Sequence, residues 1–236
     1  MNRGNRQKLT PIQAWHRTPR DGSVRVTEVR TVPDDPGCVW IVLDGVRAGL
    51  VDRETAARAQ LATDRPAWTE ALAEKLDAEV RRRLCERSAV RLLASRMRSR
   101  AGLVQALVRR GHDAPTAEAC AEDYAERGAI NDARFAEVVV RNELARKPAG
   151  RRLLEAKLHA KGVRGEPAGR AVEAALADRD ELADARQVAR ASARSIRDGT
   201  EPDVFRRRLS GRLARRGFSG EVVRRVVDEL LRERSA

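Results

Sequence analysis

The chain has 236 residues, of which 42% are apolar and only 3% aromatic; 48 Lys and Arg stand against 35 Asp and Glu, a formal net charge of +13. No apolar run approaches the roughly 20 residues of a bilayer-spanning helix, and the start lacks the apolar core of a signal peptide, so a cytoplasmic chain with no membrane partner is expected. Unpaired spacing of the cysteines (38, 85, 120), scattered histidines (16, 112, 159) and the lack of a phosphate loop or nucleophile motif exclude familiar catalytic chemistry: no enzyme, no cofactor, no metal, and thiols that are reduced and partly buried.

In chain order, residues 1–21 are polar and basic without apolar periodicity and are expected to be a disordered tail. Residues 22–66 read as an N-terminal β-hairpin segment. "VRVTEV" (Val24 to Val29) alternates, and "CVWIVLDG" (Cys38 to Gly45) is a short apolar run closed by an Asp-Gly turn. A hairpin needs cover on one face, which a helix over Asp52 to Ala62, or one starting at Trp68, can supply.

The rest is repetitive. Glycines at 111, 162 and 217 each follow a cation (Arg110, Lys161, Arg216) and have leucines four and eight residues upstream. Each reads as a helix end: the glycine takes the left-handed conformation, and the next residue packs back on the leucine four before the glycine. The pairs are His112 on Leu107, Val163 on Leu158 and Phe218 on Leu213. Apolar residues then recur at offsets 6, 9, 10 and 13 (Ala117, Cys120, Ala121, Tyr124; Ala168, Ala171, Val172, Ala175; Val223, Val226, Val227, Leu230), the stripe of a second helix with Asp113 and Ser219 as N-caps. A third helix precedes each pair, starting at Asp132 and Asp184, where Asp-Ala-Arg recurs, and covering Trp68 to Ala94 in the first copy.

The chain therefore reads as mainly α, with tandem three-helix repeats: a linker helix and repeat 1 over 67–130, repeat 2 over 131–180 and repeat 3 over 181–236. Each unit is too small to bury its apolar faces without a neighbour.

Charge is the functional signal. Residues 1–88 hold 16 Lys or Arg against 13 acids, so ten of the thirteen excess positive charges lie in the repeats, which points to an anionic partner. Aromatics are too few for binding single strands by stacking. At the helix C-termini, Arg110, Lys161 and Arg216 also suit the macrodipole. Eleven residues before each glycine stand Arg100, Arg151 and Arg206, joined by Arg152 and by Arg207 and Arg208. There the macrodipole disfavours cations, so helix stability does not explain them. With Lys157 these ten residues are the candidate partner or nucleic-acid strip.

Three stretches carry a family resemblance: "VWIVLDGVRAGL" (Val39 to Leu50), "AVRLLASRMRSRAGLVQALVRRGH" (Ala89 to His112) and "AINDARFAEVVVRNELARKPAGRRLLEAKLHAKGV" (Ala129 to Val163). With the weaker third unit, where Gln187 replaces the Phe135 of the second, they resemble RecX, the bacterial regulators of the RecA recombinase. The resemblance implies an elongated, curved stack of three-helix repeats lying in the groove of the RecA filament on single-stranded DNA. It also implies a monomer that restrains strand exchange, ATP hydrolysis and the co-protease function that triggers the SOS response. The alternatives are a sequence-nonspecific DNA-binding repeat protein acting without a protein partner, and an adaptor for another acidic protein.

Overall fold

The computed structural model describes residues 9–197 and 199–235, and the chain divides into two compact units. The first runs to Met97 and adds Leu103–Ala129; the second comprises Arg98–Gly102 and everything from Ile130 on.

Residues 1–8 of the expected tail lie outside the described residues, but the rest of it is ordered. Helix α1 (Pro11–Arg17) starts with a capping box. The Thr10 hydroxyl accepts from the Gln13 N–H, the Gln13 side chain accepts from the Thr10 N–H, and Pro11 stands at N1. The helix buries Ile12, Ala14 and Trp15. Trp15 packs edge-on against Trp68 with ring centroids 4.9 Å apart, and its Nε1 donates to Asp77 at 2.8 Å. Burial of a whole indole outweighs the polarity of its neighbours, which corrects the expectation of disorder for residues 9–21.

The hairpin is larger than expected. Strands β1 (Asp21–Val32), β2 (Asp35–Leu43), β3 (Val46–Asp52) and β4 (Ala67–Thr69) form an antiparallel sheet in the order β3-β2-β1-β4. Asp44 and Gly45 both have positive φ at the β2–β3 turn, as a two-residue hairpin of matching twist requires. Gly49 accommodates Trp15, whose ring would lie 2.8 Å from an added Cβ. The short α2 (Arg53–Arg58) follows β3, and α3 (Glu70–Ser95) covers the sheet and packs on α5 (Ala114–Glu126).

The repeats fold as the spacing predicts. Repeat 1 uses α3, α4 (Arg100–Val108) and α5. Repeat 2 uses α6 (Asp132–Arg146), α7 (Arg151–Ala160) and α8 (Glu166–Leu176); repeat 3 uses α9 (Glu181–Ala193), α10 (Pro202–Arg215) and α11 (Gly220–Ser235). Gly111, Gly162 and Gly217 have φ of 97°, 80° and 83°. The N–H of the following residue donates to the predicted leucine carbonyl each time: His112 to Leu107, Val163 to Leu158 and Phe218 to Leu213. Those leucines are fully buried, each stabilising by about 2 kcal/mol. Asp113 and Ser219 cap α5 and α11 as expected. Helix α9 starts before Asp184 because Asp180 caps it, accepting from Leu182 and Ala183.

Candidate functional site

The middle helices of repeats 1 and 2 each present their N-terminus to the repeat that follows, and this sets where the basic residues there lie. In the second unit, the Ser99 hydroxyl caps α4 through the Gly102 N–H and donates to the Lys161 carbonyl at 2.5 Å. Gly162 sits so close that a Cβ there would lie 2.5 Å from that of Ala101.

The same joint recurs one repeat later. Gly150 at the start of α7 donates its N–H to the Arg216 carbonyl at 2.9 Å, and Arg152 N–H reaches the Gly217 carbonyl at 3.3 Å. The carbonyl end of one middle helix thus meets the N–H end of the preceding one. Orphan groups pair and the macrodipoles align head to tail. A Cβ on Gly150 would fall on the Gly217 carbonyl.

The joint accounts for Arg216. Its Nε and Nη2 donate to the Pro148 carbonyl, Nη2 also to the Lys147 carbonyl at 2.7 Å, and Nη1 to Glu143 at 3.1 Å. Glu143 also receives Lys157 at 3.5 Å. Arg216 therefore clamps repeats 2 and 3 together. Its position at a helix C-terminus is compatible with this role as well as with the partner strip.

Helix position separates the remaining residues. Arg100 is the first residue of α4, and its N–H donates to the Asp132 carboxylate at 2.8 Å, so an acid offsets the charge at that end. Arg206 to Arg208 are exposed but sit beyond the first turn, because α10 starts at Pro202 with Asp203 in its first turn. Arg206 pairs with Asp228. Lys161 is exposed, and Arg110, likewise exposed, belongs to the first unit. Beside it, His112 is buried with its Nε2 2.9 Å from the Ser88 hydroxyl, and burial holds its pKa below the ordinary value.

Arg151 and Arg152 are the first two residues of α7, both exposed, with no acid in that turn. The nearest counter-charge to Arg151 is Glu155 at 3.7 Å, and Arg152 has no acid within ion-pair distance among the described residues. They open on a cavity of about 370 Å³ with an apolar floor of Ala149 and Leu176. Its acids are already engaged: Asp184 holds Arg179 through two 2.8 Å bonds, and Glu181 accepts from the Ser219 N–H. The cleft thus keeps a net positive rim. A second recess is lined by Lys147, Arg212 and Arg215. Its arginines sit in the last turn of α10, where the macrodipole alone accounts for a cation, so the spacing of the repeats does not single them out.

Among the described residues, no group of three or more His, Cys, Asp or Glu could hold a metal ion, and no helix is long and apolar enough to cross a membrane.

Sequence models of the RecX first, second and third three-helix domains match residues 85–122, 131–172 and 179–227. Regulatory protein RecX of Thermobifida fusca is 39% identical over 142 residues, covering 60% of this chain and 76% of that protein. The Mycolicibacterium smegmatis protein of the same name is 38% identical over 165 residues, covering 67% and 86%. A crystal structure of regulatory protein RecX superposes with a TM-score of 0.60 at 19% identity, over 87% of this chain and 99% of that one.

Proposed function

The chain belongs to the RecX family of regulatory proteins, and on that premise we propose that it binds the RecA filament on single-stranded DNA and restrains its recombinase, ATPase and co-protease activities. It does so as a cytoplasmic monomer without a cofactor. The observation that carries the reading is the Arg151–Arg152 pair. Two cations at the start of α7 gain nothing from its macrodipole, which the carbonyl end of α10 offsets at the joint, and neither forms a close ion pair, so a task outside the fold is the simplest reason to keep them there. Beside a cleft with a positive rim, they suit phosphates or acidic side chains of a nucleoprotein polymer. Of the ten residues singled out in the sequence, Arg100, Lys157, Lys161 and Arg206 to Arg208 lie in the same unit and extend this surface, whereas Arg110 belongs to the first unit and Arg216 serves the joint.

Naked single-stranded DNA is the weaker partner. All three tryptophans are buried, as are Phe205 and Phe218, so none of these rings offers a stacking platform. Fluorescence anisotropy of a labelled oligonucleotide, bare or coated with the recombinase, tests the assignment. Tighter binding to the coated strand, weakening with added salt, is the expected result. Equal affinity for both would favour a DNA-binding protein that acts without a partner, and binding to neither would leave the adaptor reading.

A further inference from the structure

Two of the three thiols, distant in sequence, meet in the first unit. Cys85 on α3 is completely buried and Cys120 on α5 is 8% exposed. The Cys85 sulfur lies 3.8 Å from the carbonyl oxygen of Thr116, one turn before Cys120. Helical side chains lean towards the N-terminus, so the Cys120 side chain covers that same turn. The packing of α3 on α5 thus brings both thiols to one spot. The third thiol, Cys38 on β2, lies instead among carboxylates, with Asp52 at 3.9 Å and Asp35 beside it.

We propose that Cys85 and Cys120 are a reversible oxidation site, in which a small hydroperoxide converts the pair to a disulfide linking α3 to α5. The two sulfurs have different roles. The Cys85 thiol beside it favours the thiolate of Cys120 and pulls its pKa down against the effect of burial. The neighbouring Cys120, then burial, keeps Cys85 protonated. Cys120 is also the more exposed, so it is the nucleophile and Cys85 the resolving thiol.

The Cys120 thiolate attacks the terminal peroxide oxygen and the O–O bond breaks. The alkoxide or hydroxide leaves and takes a proton from water, and Cys120 becomes a sulfenic acid. The Cys85 sulfur then attacks the Cys120 sulfur, the S–O bond breaks, and the departing hydroxide leaves as water with the Cys85 proton. Two electrons pass from the thiols to the peroxide. Burial of Cys38 pushes its thiol up to about 11, and it has no sulfur partner, so it stays reduced and serves as an internal control.

Treating the full-length protein with hydrogen peroxide, followed by intact mass and non-reducing peptide mapping, tests this independently of the filament reading. The expected product has lost two hydrogens, carries one link between the Cys85 and Cys120 peptides, and reverts with dithiothreitol. Cys38→Ser should leave the link intact. Cys85→Ser should stop at a sulfenic acid that dimedone traps on Cys120. An unchanged mass, added oxygen on Cys120 without a link, a link through Cys38, or a dimedone adduct on Cys85 in Cys120→Ser would each overturn it. The peptide map of the parent protein decides the matter even if a serine variant does not fold.

Discussion

Replacing Gly217 by alanine adds one methyl group at the joint between α10 and α7. With φ at 83°, the new Cβ carries the ordinary left-handed cost of about 1 kcal/mol. It also falls on the Leu153 amide nitrogen, 2.7 Å from the Leu153 Cβ and 2.9 Å from the Gly150 carbonyl oxygen. Two of these are backbone atoms, so a rotamer change cannot relieve the overlap and the joint must part. That adds about 1–3 kcal/mol, for a total of roughly 3 kcal/mol.

The other stops grade the effect. At Gly162 the overlap is with the Ala101 Cβ at 2.5 Å, whereas at Gly111 the nearest atoms are side-chain carbons of Ile12 and Gln13 at 3.6 Å, an ordinary contact. Gly111→Ala should therefore cost only about 1 kcal/mol, with Gly162→Ala between the two. Urea unfolding followed by far-UV circular dichroism gives the order. Tryptophan fluorescence is unsuitable for the second unit, since Trp15, Trp40 and Trp68 all lie in the first. If Gly217→Ala proved no more costly than Gly111→Ala, the head-to-tail joint would be wrong.

Arg216→Ala should destabilise by about 2 kcal/mol, because the Lys147 and Pro148 carbonyls and Glu143 lose a charged donor; thermal denaturation beside Lys161→Ala, expected within about 0.5 kcal/mol of the parent, checks it. Arg216→Lys should recover little, since one ammonium cannot span the guanidinium fork. Burial lowers the His112 pKa, so the unfolded chain binds that proton more readily than the folded one. The contribution to stability is then full above about 6.5 and falls as pH drops through 6.5 towards the folded value. Melting temperatures between pH 8 and 5 should show this fall, with a flatter profile in His112→Gln. Arg151→Glu with Arg152→Glu should leave stability equal or raised by up to about 1 kcal/mol per site, read as an unchanged or slightly higher melting temperature, while weakening filament inhibition; a variant that melts lower and inhibits fully would make the arginines structural.

The repeat framework was legible because its signals are local. A leucine pair, a cation and a glycine write a helix end into a dozen residues, and all three copies fold that way. Composition alone points to disorder before the sheet, although Thr10-Pro-Ile-Gln13 spells a capping box ahead of Trp15. β3 went unassigned because Gly49 interrupts its apolar pattern, and that glycine answers to Trp15, far away in sequence. The site was half legible. A cation at a helix start can be read only once the start is known: the Gly150 break placed Arg151 and Arg152 correctly, while Asp203 and Pro202 moved the start of α10 away from Arg206. The clamp role of Arg216 and the contact of Cys85 with the Thr116 carbonyl, one turn before Cys120, depend on tertiary packing and leave no trace in spacing.

Steady-state ATP hydrolysis by the cognate recombinase on single-stranded DNA, with this protein titrated in, measures the proposed activity directly. The rate should fall at sub-stoichiometric to stoichiometric protein, and the inhibition should weaken as salt rises. An unchanged rate at saturating protein would contradict the account.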